Sequence, residues 1–141
     1  MKYLYKFNEN KDGVPDSLIE IKNLFNTNLA YLIDEGFKLD FLESIATKNR
    51  ISEKIYKTVR ILLKKDSTNR DIFRWDDIKD DFIPSIIMLS EKYKLYQHYP
   101  NNKDICINFL KETDTYFSIE DLSEDNIPNY LILSIEFHVF L

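Results

Sequence analysis

Glycine, cysteine and proline are all scarce in this 141-residue chain, at 2, 1 and 4 residues. Two glycines cannot build a phosphate-cradling loop. So little Gly and Pro also excludes a collagen-like or low-complexity linker protein. One cysteine leaves no internal disulfide and no cysteine-rich zinc site. Long apolar runs are missing too: no stretch approaches the roughly 20 residues of a membrane-spanning helix. The opening Met1-Lys-Tyr-Leu-Tyr-Lys-Phe-Asn-Glu-Asn10 lacks the apolar core and small-residue cleavage site of a secretory signal. Basic residues are outnumbered, 19 Lys and Arg against 24 Asp and Glu, for a net charge of -5. That balance opposes general nucleic-acid binding, which needs a basic face to displace counterions. It is also too mild for a DNA mimic.

What is present fits one folded domain spanning residues 1–141. The composition is 44% hydrophobic and 30% charged, as in ordinary soluble domains. A chain of this length buries enough surface to be stable without staples. There are 18 Ile, 15 Lys and 12 Asn against 2 Ala and 4 Arg. The first three have A/T-rich codons, so an A/T-rich genome accounts for the preference for Lys over Arg.

Residues 2–7 alternate weakly, so 1–14 reads as an N-terminal arm or edge strand. Ser17-Leu-Ile-Glu20 reads as a capping box. Leu18, Ile21, Phe25, Leu29 and Leu32 then continue one helical face, past polar Asn26-Thr27-Asn28 to a stop at Gly36. Strands are predicted at 37–43 and 55–64, joined as a hairpin across a polar loop at 44–54. Trp75, Ile78, Phe82, Ile86, Leu89 and Tyr93 give a second helix, with Pro84 expected to kink or divide it. Strands at 95–99 and 105–110 are joined by Pro100-Asn-Asn-Lys103, and a helical turn follows near Ser118–Leu122. In the last strand, 130–140, Leu131, Leu133, Ile135, Phe137 and Val139 face one way. Ser134, Glu136 and His138 face the other. Leu32-Ile-Asp-Glu-Gly-Phe-Lys-Leu39 echoes Leu89-Ser-Glu-Lys-Tyr-Lys-Leu95. The expected fold is therefore α+β: a two-layer sandwich with two helices on one face of a mostly antiparallel sheet. Its order is an αββ–αββ pseudo-repeat followed by a C-terminal strand.

Few residues carry a chemical signature. Pro15-Asp16 with Glu20-Ile-Lys22 has the lettering of a metal-dependent nuclease, whose acids would hold a cation beside the lysine. Here the acids open an amphipathic helix, where capping and the helix dipole account for them. Asp76, Asp77, Asp80 and Asp81 are paired one turn apart and could in principle ligate a hard cation, but acids also favour a helix N-terminus. Glu120, Asp121, Glu124 and Asp125 have the same explanation and lack calcium-loop spacing. His98 and His138 have no metal-ligand partner in sequence. Lys54, Lys57, Arg60, Lys64 and Lys65 make one strand basic, with only Tyr56 placed for base stacking. Cys106 sits in an apolar Ile-Cys-Ile run and reads as a buried small hydrophobe. No catalytic residue, metal ligand or cofactor site is assigned. The interaction candidates are Tyr3, Tyr5 and Phe7, an aromatic segment able to add to a sheet edge or dock on a partner.

The opening decapeptide resembles the start of many small proteins of tailed bacteriophages with A/T-rich genomes. Asn28-Leu-Ala-Tyr-Leu-Ile-Asp-Glu-Gly-Phe37 and Trp75-Asp-Asp-Ile-Lys-Asp-Asp-Phe-Ile-Pro84 resemble segments of a group of uncharacterised proteins from such phages. Met-Lys, an aromatic and an acid within ten residues also resemble the capsid-targeting peptides of T4-like phages, which are cleaved after Leu/Ile-x-Glu. Leu18-Ile19-Glu20 has that lettering, inside the predicted first helix. The resemblance implies a virus-encoded protein in the virion or host cytoplasm, and transfers no activity. The expectation is a non-enzymatic protein whose partner is a viral structural protein or a host protein. The alternatives are an early inhibitor of a host enzyme or defence system and, more remotely, a small metal-dependent nuclease.

Overall fold

The computed structural model describes residues 16–49, 54–65, 72–97, 99–124 and 126–141 and, at 44–49 and 54–56, the backbone alone. The arm at 1–14 lies outside these residues. Helix α1 spans Asp16–Asn28 and α2 spans Ala30–Asp34. Leu18, Ile21, Phe25, Leu29 and Leu32 are all buried, as the spacing predicts. The helix breaks at Leu29 (φ -105°, ψ 17°), directly after the polar Asn26-Thr27-Asn28. Gly36 closes it at φ 97°, a left-handed conformation that glycine adopts without steric penalty. The expected capping box at Ser17 does not form. Asp16 is already helical, so Ser17 is an interior residue, and Glu20 turns away to α3 (Trp75–Lys92). There its carboxylate accepts from the Tyr93 hydroxyl and lies 3.3 Å from Lys92 Nζ.

Helix α3 continues through Pro84 as one helix and is not divided there, where a kink or a division was expected. A mid-helix proline costs about 3 kcal/mol. Phe82 and Ile86 are both fully buried on either side of it, and each contributes roughly 1.5–3 kcal/mol by leaving water. Packing therefore outweighs the local defect. Pro84 itself is exposed, and Ser85 Oγ donates to the Asp81 carbonyl at 2.8 Å.

Strands β1 (Phe37–Asn49) and β2 (Lys54–Lys65) pair antiparallel. Most of the expected 44–54 loop is thus strand, because Ile45 and Thr47 are β-branched and suit an extended ribbon. β3 (Phe73–Arg74), β4 (Leu95–Tyr96), β5 (Ile105–Phe109), β6 (Thr115–Phe117) and β7 (Leu131–Phe140) complete an antiparallel sheet ordered β1-β2-β7-β5-β6. Helix α4 (Ile119–Ser123) follows β6 where a helical turn was expected, and is capped by Ser118. β7 is the hub: β2 and β3 lie end to end on one edge of it, β4 and β5 on the other. The 95–99 and 105–110 segments are therefore not hairpin partners. Leu95 and Tyr96 pair with Val139 and His138, and the next position, Phe137, pairs with Ile105. They are two halves of one strand, interrupted by an excursion at 97–104. The expected αββ–αββ order is interrupted by β3 before α3 and by α4 before β7, its second hairpin is β5–β6, and the halves are not equivalent in space. The first hairpin places its second strand against β7; the second hairpin, β5–β6, places its first.

One core lies between the helices and the inner face of this sheet. Phe25, Phe82 and Phe137 meet at its centre, with Phe137 5.7 Å from Phe25 and 6.0 Å from Phe82. Val59, Ile61 and Leu63 of β2 and Ile135, Phe137 and Val139 of β7 are fully buried there. Lower in β7 the sequence expectation inverts: Ile132 is buried, whereas Leu131 and Leu133 are only half-buried. The cause is a bulge. Asn108 pairs with Ser134 and Phe109 with Ile132, so Leu133 is skipped and the alternation changes parity. Deleting Leu133 should consequently leave a regular strand with Ile132 and Ile135 still inward, at a stability within about 1 kcal/mol of the parent. Deleting Glu136 instead puts Ser134 at an inward position and should unfold the domain. Urea denaturation of both deletions checks this.

Candidate functional site

The opposite face of the sheet carries no helix among the described residues, and its register assembles a polar patch. Cys106 stands across from Glu136 on one side and Tyr116 on the other. Arg60 stands across from His138, which in turn faces Tyr96. Arg60 Nε donates to Glu136 Oε2 at 2.5 Å, diagonally between the two rows. Residues 99–104 then fold over this surface. Their turn places Asn101 and Asn102 at φ 62° and 57°, a region that asparagine tolerates better than most residues. Tyr99, at the start of the turn, bridges to Lys103 and is swung onto the sheet. Its ring stacks on Tyr116 at 5.5 Å and 19°, and meets His138 edge-on at 5.8 Å.

The result is a solvent-open pocket of about 430 Å³ lined by Arg60, Tyr99, Cys106, Asp114, Tyr116, Glu136 and His138, with Pro100 at the turn. That volume falls in the range of small-ligand pockets, about 300–1,000 Å³. Burial, reinforced by Asp114 and Glu136 and opposed by Arg60, pushes the Cys106 thiol up to about 12. The thiolate is therefore scarce at neutral pH, and Cys106 is a weak nucleophile. Burial, with Glu136 next in weight, likewise holds the Tyr99 hydroxyl protonated far above the ordinary phenol range. Glu136 is compensated by a guanidinium. The arrangement can recognise a ligand by shape, charge and ring contact.

Several other candidates have structural partners. Asp77 accepts from the Arg74 backbone N–H at 2.8 Å and so caps α3, while Asp76 lies 3.2 Å from Lys79. Asp80 and Asp81 line a shallow hollow with Pro84 and Met88. Asp121 accepts from the Ser118 N–H at 2.9 Å, and this bond holds its carboxyl below the usual range. Glu20 and Lys22 diverge: Glu20 is tied to Tyr93 and Lys92, whereas Lys22 Nζ sits 5.8 Å above the Phe41 ring. Among the described residues no three His, Cys, Asp or Glu side chains are grouped to hold a metal ion. On the basic strand Arg60 pairs with Glu136, and Lys64 with Asp40 at 3.7 Å. Leu18 is buried, so cleavage after Glu20 would remove a core side chain. Tyr3, Tyr5, Phe7, His98 and Asp125 lie outside the described residues.

Sequence reasoning missed this pocket. The only local signal was the polar set Ser134, Glu136 and His138 on one face of the last strand, together with the paired asparagines of the 100–103 turn. Among the described residues no helix is long and apolar enough to cross a membrane. Set against known proteins, the chain matches no family model, no curated protein and no solved structure.

Proposed function

We propose that this chain is a phage-encoded, non-enzymatic protein that acts through protein contacts, in the virion or during its assembly. The observation that supports this reading is the helix-free sheet face with its pocket, whose groups are set for recognition. The thiol is protonated and the carboxylate is paired, while tyrosine rings line the wall. Beside the pocket the same face presents Leu42, exposed and paired across from Arg60, a mixture of apolar and charged groups suited to a partner surface. The viral setting rests on the resemblance of the N-terminal decapeptide and of the 28–37 and 75–84 segments. Tyr3, Tyr5 and Phe7 supply an aromatic segment for a second contact.

Mass spectrometry of purified phage particles, compared with infected-cell lysate, tests the reading. The chain is expected in the particles at stoichiometric abundance. Presence in the lysate alone overturns a virion role. Co-purification with one host protein would then identify an inhibitor of a host enzyme or defence system.

A further inference from the structure

We infer that the pocket over β2, β7 and β5 receives an arginine side chain of a partner protein. This inference rests on the protein-contact reading above and specifies the chemistry of that contact. Charge is the first consideration. The lining holds one guanidinium, Arg60, and two carboxylates, Glu136 and Asp114. Arg60 is committed through Nε to Glu136. Asp114 is exposed and forms no ion pair among the described residues. The carboxylates of the lining therefore outnumber its guanidinium by one, with His138 the remaining basic group. Both acids act on the Cys106 thiol in the direction of a negative local potential, against Arg60 alone.

Shape and surface narrow the cation further. Tyr99 and Tyr116 give the wall an aromatic character, and Pro100 extends it. A guanidinium is flat, weakly hydrated, stacks on aromatic rings and forks onto a carboxylate. A lysine ammonium is a compact, strongly hydrated point charge that uses a ring and a carboxylate less well. A phosphate or carboxylate ligand meets the excess negative charge. A divalent cation meets the Arg60 guanidinium between the acids. Of the charged protein side chains, arginine makes the fullest use of the aromatic wall and of the Asp114 carboxylate.

The full chain is titrated with Nα-acetyl-argininamide, and backbone amide shifts are followed by NMR. Saturable shifts are expected, centred on Cys106, Asp114, Tyr116 and Glu136. Nα-acetyl-lysinamide should bind at least about fivefold more weakly, the weight of one charge-assisted contact. Asp114→Asn should weaken arginine binding by a similar roughly fivefold factor while leaving the melting temperature unchanged. Tyr116→Leu, which keeps bulk and removes the ring, should weaken it as well. Absence of saturable shifts, an equal response to the lysine probe, or undiminished binding in Asp114→Asn each overturns the inference. None of these outcomes bears on whether the chain is found in particles, so the two readings fail separately.

Discussion

Phe137→Ala should be the most damaging side-chain truncation in this protein. Phe137 is fully buried and touches the rings of both long helices, Phe25 from α1 and Phe82 from α3. It also sits on the strand that joins both halves of the sheet. Truncation removes the ring from the junction of three elements and leaves a cavity that none of them can close alone. Such changes cost about 3–5 kcal/mol, a large share of the 5–15 kcal/mol total of a typical domain. A fall in melting temperature of about 10 °C or more is expected for a domain of this size. Leu42→Ala, a truncation of an apolar residue that is 51% exposed, should stay within about 0.5 kcal/mol. Thermal denaturation of the pair gives the comparison. Similar losses for both would show that the Phe25–Phe82–Phe137 cluster is not the centre of the core.

Cys106 should be nearly inert to thiol reagents while the chain is folded and ordinarily reactive once it unfolds. An ordinary thiol is taken at 9.0, and the folded value is about 12. At pH 8 that difference lowers the thiolate fraction about a thousandfold, before the steric cover of Tyr99 is added. The same shift sets a pH dependence. Below about pH 9 the thiol is protonated in both states and contributes no slope. Between about 9 and 12 the unfolded chain loses the proton while the folded chain retains it, so rising pH favours unfolding. Tyr99, also raised in the fold, acts in the same direction above its ordinary range. Stability should therefore decline as pH climbs through this window, and Cys106→Ala should reduce the decline. Labelling of the folded chain within tenfold of the denatured rate would contradict the buried placement. Because the chain has 1 Cys, that rate also reports unfolding at a single known position.

The elements whose cause is local were readable from the residues. The Trp75–Leu89 stripe, the Gly36 stop and the pairing of residues 37–43 with 55–64 all follow from periodicity and turn chemistry over short spans. Features decided by pairing across the sheet were not readable. Nothing near Leu95 or Ile105 reveals that both will lie on β7, and the parity change at Leu133 becomes visible only against Asn108 and Phe109. The same holds for the pocket. Arg60, Tyr99, Cys106, Asp114, Tyr116 and Glu136 are scattered over four strands and two loops. They become neighbours only because the last strand inserts between the two hairpins. Ser17 and Pro84 show the converse, in that local rules were overruled by helix extension and by core burial.

The central position of β7 also bears on how the chain is made. Synthesis proceeds from the N-terminus, so each of the four strands that β7 joins exists before β7 does. The two hairpins can form early as separate ribbons, but the edges of β2, β3, β4 and β5 stay unsatisfied until residues 131–140 have been translated. Topologies dominated by such distant pairings fold slowly, and unpaired strand edges template association between chains. A product truncated before Leu131 therefore leaves all four edges open, and should aggregate where the full chain does not.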